Sequence, residues 1–160
     1  MQTHTSPGSA APGIIRIAAV VVVDDAGRTL LARKRGTTRF MQAGGKIDVG
    51  EAPAVAAARE LAEELGLLVA PSDLEHWGRF DAPAANEAHH VVDAEVFFLA
   101  LSGGSATAVV ATAEIEEIVW LTPAEVAASL GATDDDDDGG LPLAPLTRDI
   151  LLPMLAARAL

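Results

Sequence analysis

The segment GKIDVGEAPAVAAARELAEELGL, Gly45 to Leu67, decides how the rest of the chain is read. Pro53 stands where a helix accepts a proline, at its first position. Val55, Ala58, Leu61, Ala62 and Leu65 then recur at helical spacing until Gly66 stops the run. Glu60, Glu63 and Glu64 fall at i, i+3 and i+4, so their side chains share one helix face while Leu61 and Leu65 lie on another. Like charges held this close raise the proton affinity of at least one carboxylate unless a cation joins them. A divalent metal resolves the repulsion. With oxygen donors alone, and neither cysteine nor paired histidine beside them, Mg²⁺ or Mn²⁺ is favoured over Zn²⁺. Glu51 and the carbonyls of the Gly44-Gly45 loop can add further oxygens. A bare E-x-x-E-E would more readily read as a solvated helix face that keeps the protein soluble.

Composition narrows the possibilities. A chain of 160 residues fits one domain with a substantial core, and 50% hydrophobic residues exclude wholesale disorder. Its longest uninterrupted apolar run, Ile17 to Val23, is far shorter than the ~20 residues that span a bilayer. Lys+Arg number 11 against 23 Asp+Glu, giving −12, which excludes a polynucleotide or an anionic membrane as a natural partner. A small polyphosphate remains compatible, because divalent ions can sit between its oxygens and the protein's carboxylates. The absence of cysteine removes disulfides, thiol nucleophiles and Cys-based metal sites. Residues 1–13 read as a mobile tail without signal-peptide character, so a cytoplasmic location is expected for a single domain over 14–160.

Outward from the helix, Ile14 to Asp24 and Thr29 to Arg33 read as strands joined in a hairpin by Asp25-Ala26-Gly27. Phe40 to Ala43 reads as a short strand entering a loop at Gly44-Gly45. Leu74 to Phe80, Val91 to Leu101 and Glu114 to Leu121 read as further strands. Thr122 caps a helix over Pro123 to Leu130, residues 131–143 with their five consecutive aspartates read as a flexible acidic loop, and Thr147 to Leu160 reads as a helix bent at Pro153. The irregular strand and helix order predicts a mixed α/β (α+β) fold and not a doubly wound parallel sheet.

Gly45, Glu51, Arg59, Glu60, Leu61, Glu63, Glu64, Gly66 and Leu67 fill every specified position of G-x5-E-x7-R-E-U-x-E-E-x-G-U, with U aliphatic. On that match the segment resembles the Nudix box of the Nudix hydrolases. The resemblance implies a Nudix-type α/β/α sandwich with a mixed sheet. It also implies hydrolysis of a nucleoside diphosphate linked to another moiety, by water attack at phosphorus with Mg²⁺ or Mn²⁺. Carried over by position, Glu60, Glu63 and Glu64 would hold metal together with the carbonyl of Gly44, Arg59 would orient the cluster through Glu51 or Glu60, and Lys46 would lie near the phosphates. The general base would be Glu60 or a glutamate beyond the box, of which Glu114 is preferred to Glu116 and Glu117 because it precedes the strand proper.

The layout is similar to that of MutT-type members, implying a nucleoside triphosphate, oxidised dGTP included, cleaved to monophosphate and pyrophosphate. Pro83 keeps a second substrate class in view, because ADP-ribose-cleaving members often carry a proline at about that distance beyond the box. A nucleotide-sugar pyrophosphatase belongs to the same second reading, a silent nucleotide-sensing module is a further alternative against which the intact carboxylates speak, and a homodimer is left open.

Other signals are less specific. Arg33, Lys34, Arg35 and Arg39 form a basic cluster that reads either as phosphate-facing or as solvated loop. Among the aromatics, Phe40 is expected to supply a stacking plane because it leads into the glycine loop, while Trp77, Phe80 and Trp120 read as core. By analogy with MutT-type enzymes, Thr147 and Arg148 would read a base edge. His89 and His90 are adjacent, so they cannot chelate from one strand face, and Asp134 to Asp138 lack calcium-loop spacing.

Overall fold

The computed structural model describes residues 11–131 and 139–158, so most of the expected N-terminal tail, the Asp134–Asp138 run and the last two residues lie outside the described residues. Six strands and three α-helices follow one another as β1 (Gly13–Val23), β2 (Thr29–Lys34), β3 (Ala43–Lys46), α1 (Pro53–Leu65), β4 (Glu75–Pro83), β5 (His90–Ala100), β6 (Ile115–Leu121), α2 (Pro123–Ser129) and α3 (Leu152–Arg158). The sheet runs β4-β5-β1-β2-β6, with β3 also paired to β1. It is mixed: β1 lies parallel to β5 over its whole length, and the other pairings are antiparallel.

The β1–β2 hairpin is shorter than the sequence suggests. The Asp24 carboxylate closes the turn by accepting from the amides of Ala26 and Arg28 at 3.0 and 2.8 Å, but β1 and β2 register only at Val23↔Thr29. Beyond that pair β2 diverges to β6, and β3 takes the exposed edge of β1 from Ile17↔Lys46 to Val20↔Ala43. The short strand therefore lies three residues later than Phe40–Ala43 and runs through both glycines. Glycine is what lets it approach: a Cβ on Gly44 would sit 2.1 Å from the Ala18 carbonyl oxygen.

Alternation along β1 divides the core into two layers. Ala18, Val20 and Val22 face α1, where Ala57, Leu61 and Leu65 cover them. Val21 points the other way, with Val96, Leu146 and Leu151. Helices thus cover both faces of the sheet, and α2 closes the β2–β6 end against Leu31, Leu121 and Leu152. The last helix departs from expectation in a specific way. A wide turn of i→i+5 type spans Thr147–Leu151 before α3 begins. Pro153 lacks an amide and crowds the carbonyl four residues earlier, so the distortion falls ahead of the proline. Among the described residues no helix is long and apolar enough to cross a membrane.

Candidate active site

Two features of α1 aim its glutamates at β3. Gly66, at φ 65°, ends the helix by donating its amide to the Ala62 carbonyl, and Leu61 and Leu65 pin the helix to the sheet. Glu60 and Glu64 are consequently buried against the glycine strand. A Cβ on Gly45 would lie 2.3 Å from Glu60 Oε1, so that carboxylate rests directly on the backbone. The Gly44 amide donates to Glu64 Oε2 at 3.1 Å.

Two tethered cations hold the acidic groups. Arg59 donates through Nε and Nη2 to Glu51 at 2.9 and 2.8 Å, through Nη1 to Glu60 Oε1 at 2.9 Å, and through Nη2 to the Lys46 carbonyl at 3.0 Å. The guanidinium and the Asp48 amide pull the Glu51 carboxyl down to about 2, and the carboxylates raise the Arg59 pKa in return. Lys34, from the end of β2, places Nζ 2.9 Å from Glu64 Oε1 and 2.8 Å from the Gly44 carbonyl oxygen. Burial pushes the Glu64 carboxyl above its ordinary value, against the opposing pull of Lys34 and the Gly44 amide. Repulsion from Glu60 is the smallest contributor, so desolvation outranks the like-charge effect that helix spacing suggests.

Glu63 stands apart. Half exposed, it leans back on Arg59 at 3.4 Å, and among the described residues no three acidic or histidine side chains gather as a metal cluster. Mutual repulsion is relieved here by Arg59 and Lys34. The donor set nevertheless suits a hard divalent ion, because the Gly44 carbonyl and the Glu64 carboxylate, both oxygen donors, already converge on one cation, the Lys34 ammonium.

Across β3, on the sheet face away from α1, a cavity of about 210 Å³ is lined by Ile15, Ile17, Lys34, Gln42, Gly44, Lys46, Pro83, Asn86 and Thr147 among others. Lys46 and Thr147 therefore stand together at one cavity, with Lys34 between it and Glu64. Phe40 does not join them. The residue is 4% exposed among Leu31, Leu121 and Leu143, and its backbone is bonded to Pro142 and Ala144, so it is core and supplies no stacking plane. Arg35 bonds the Ala113 carbonyl and pairs with Glu116, Arg39 donates to the Leu143 carbonyl at 2.9 Å, and Arg148 pairs with Asp149; none of these three lines the cavity.

Glu114 is exposed, on a segment tied to α1 by the Val110 and Thr112 amides, which donate to the Leu65 and Glu64 carbonyls. Glu116 and Glu117 are engaged by Arg35 and Arg33. Sequence reasoning missed Gln42, whose Oε1 accepts from Thr147 Oγ1 at 2.7 Å. A lone polar residue between Met41 and Ala43, ahead of the glycines, is the signal that could have found it.

Comparison with known proteins agrees with this geometry. The NUDIX domain profile matches residues 14–141. An 8-oxo-dGTP diphosphatase of Haemophilus influenzae is 34% identical over 74 residues, a match that covers 44% of this chain and only 54% of that relative. The MutT protein of Methanosarcina mazei superposes with a TM-score of 0.61 at 20% identity, over 75% of this chain and 85% of its own. A bifunctional NMN adenylyltransferase/ADP ribose pyrophosphatase of Francisella tularensis, solved with AMP and a Mn ion, gives 0.65 at 13% identity, over 94% of this chain and 43% of its own. With the box complete, its glutamates set against the glycine strand and the sheet shared with these proteins, the chain belongs to the Nudix hydrolase family and has a MutT-like fold.

Proposed function

We propose that the chain hydrolyses a nucleoside triphosphate, oxidised dGTP among the candidates, to the monophosphate and pyrophosphate with Mg²⁺ or Mn²⁺. One observation carries the reading. The Gly44–Lys46 strand has buried carboxylates on one face and a cavity of about 210 Å³ on the other, so a nucleotide with its base in the cavity runs its phosphates past Lys46 and Lys34 toward Glu64. The relative that cleaves 8-oxo-dGTP supports a triphosphate.

In this reading the Gly44 carbonyl, Glu60, Glu63 and Glu64 would hold the metal. A bound divalent ion neutralises phosphate charge and lowers the pKa of water. Lys46 and Lys34 add positive charge along the phosphates. Arg59 is a positioning residue: its bonds to Glu51, Glu60 and the Lys46 carbonyl fix the helix against the strand. The attacking water bonds to phosphorus through its oxygen as the bridging oxygen leaves with the electron pair. Its proton goes to a carboxylate, for which Glu114 and Glu60 are the candidates.

Pro83 lines the cavity, which favours ADP-ribose or a nucleotide sugar as the second reading. The deciding experiment is product analysis with Mg²⁺ or Mn²⁺ across nucleoside triphosphates, oxidised dGTP, ADP-ribose and nucleotide sugars, with Glu64→Gln as control. Pyrophosphate from a triphosphate, abolished in the variant, supports the proposal. AMP plus a sugar phosphate moves the protein to the second reading, and ligand binding without turnover moves it to a nucleotide sensor.

A further inference from the structure

Gln42 is 4% exposed and lines the cavity, and Thr147, fully buried at the start of the wide turn, donates its hydroxyl to Gln42 Oε1 at 2.7 Å. In that arrangement the amide engages its oxygen. The other end, Nε2, is buried and has no hydrogen-bond partner among the described residues. Buried amide donors are almost always paired, and one left without a partner carries the full penalty of its desolvation. The side chains of Ile17 and Leu146, which line the same cavity, offer it no acceptor, and Asn86 and Glu87, which also line the cavity, make no bond to it.

We propose that Gln42 is the residue that selects the base, donating Nε2–H to a keto oxygen on the edge of a nucleobase seated in the cavity. The placing of the base there rests on the reading under Proposed function. The chemistry then favours bases with a keto oxygen at purine C6 or pyrimidine C4, namely guanine, oxidised guanine, uracil and thymine. Adenine and cytosine present an exocyclic amino group at the corresponding position, which would set donor against donor. The usual two-point pairing of glutamine with adenine needs the amide oxygen as acceptor, and here Thr147 already engages that oxygen. None of the lining residues is aromatic, so stacking, which every base satisfies, contributes little, and the hydrogen bond sets the choice.

The test is binding of GMP, UMP, AMP and CMP to the full chain by calorimetry, which needs no turnover, beside kcat/KM for the four triphosphates. Wild type is expected to bind the keto bases about tenfold more tightly than the amino bases. Gln42→Met removes that ratio, and Gln42→Glu, which presents only acceptors, reverses it. Thr147→Val, close in shape, narrows the ratio by releasing the amide, and serves should a Gln42 variant fail to fold. Equal binding of all four bases by wild type, or a ratio kept in Gln42→Met, overturns the assignment of Gln42 even where triphosphates are hydrolysed. A keto preference without hydrolysis of any triphosphate leaves Gln42 as the base reader and overturns the proposed reaction instead.

Discussion

On the α1 side of β3, Glu51 and Glu60 are bonded to Arg59, Glu63 leans on the same guanidinium, and Glu64 is paired with Lys34. On the opposite side, apolar walls surround an amide nitrogen that lacks a partner among the described residues. The first region is half neutralised by two cations that the chain itself supplies, Arg59 and Lys34, so a metal at Glu64 enters by exchange. The second is incomplete, so a ligand enters by completing it. One strand of four residues divides the two modes, and its glycines are what allow both to press against the same backbone.

The sharpest way to break the first region is Glu64→Gln. Loss of a buried carboxylate donor lowers activity by about a hundredfold or more, checked by kcat with Mg²⁺. Stability moves the opposite way. Burial raises the Glu64 carboxyl pKa, so the folded state holds its proton more tightly than the unfolded one, and the contribution of the ionised group falls as pH rises past the unfolded value. Urea melts are therefore expected to show the variant gaining on wild type between pH 4 and pH 8. A carboxylate that stabilised the fold would show the reverse trend.

Gly45→Ala comes next. Its Cβ would meet Glu60 Oε1 at 2.3 Å, displacing a side chain, whereas Gly44→Ala would meet the Ala18 carbonyl oxygen at 2.1 Å, backbone against backbone. The first variant is expected to lose about tenfold in kcat with a modest change in melting temperature. The second is expected to lose about 1–3 kcal/mol of stability, read from urea melts, because β1 and β3 must part.

Helix α1 and its charges were legible because every participant falls within 23 contiguous residues at fixed helical spacing. The resemblance to the Nudix box implied that Arg59 pairs with Glu51 or Glu60, and it binds both. The cavity was far less legible. Its walls come from Ile15 and Ile17, the Gln42–Lys46 stretch, Pro83 and Asn86, and Ala144 and Thr147, which only the parallel β1–β5 pairing and the return of the C-terminal segment bring together. Nearness in sequence misled at Phe40: the residue leads into the glycine loop, yet Pro142 and Ala144 fasten its backbone to the α2 side of the core. Lys34 was visible only as one of four clustered cations, and its turn toward Glu64, with Arg33 turned toward Glu117, reflects strand alternation at the end of β2.

Lys34→Met tests whether metal enters by exchange. Without the ammonium on Glu64 Oε1 and the Gly44 carbonyl, the divalent ion no longer competes with a tethered charge. Mn²⁺ binding, followed by electron paramagnetic resonance, is expected to tighten several-fold, by less than the tenfold that 1.4 kcal/mol represents. The metal-free protein is expected to melt at a lower temperature, since Glu64 then lies buried without its counterion. Unchanged Mn²⁺ affinity would mean that Lys34 stands clear of the ion.

The smallest effect belongs to Glu51, which binds Arg59 ahead of the helix. Its carboxyl is held at about 2 against an ordinary value of 4.5, chiefly by the Arg59 hydrogen bonds. A carboxyl depressed in the folded state contributes stability that is fully present above the unfolded pKa and is lost as pH falls through the folded one. Wild type and Glu51→Gln should therefore differ most in urea melts at pH 6 to 7, and the gap should close between about pH 4.5 and pH 2. Solvent and salt still reach this part-buried pair, so raising the ionic strength should narrow the gap at neutral pH to a lesser degree. A gap that ignored both pH and salt would assign Glu51 to packing and the Asp48 turn, which its Oε1 also closes at 3.1 Å, and not to its charge on Arg59.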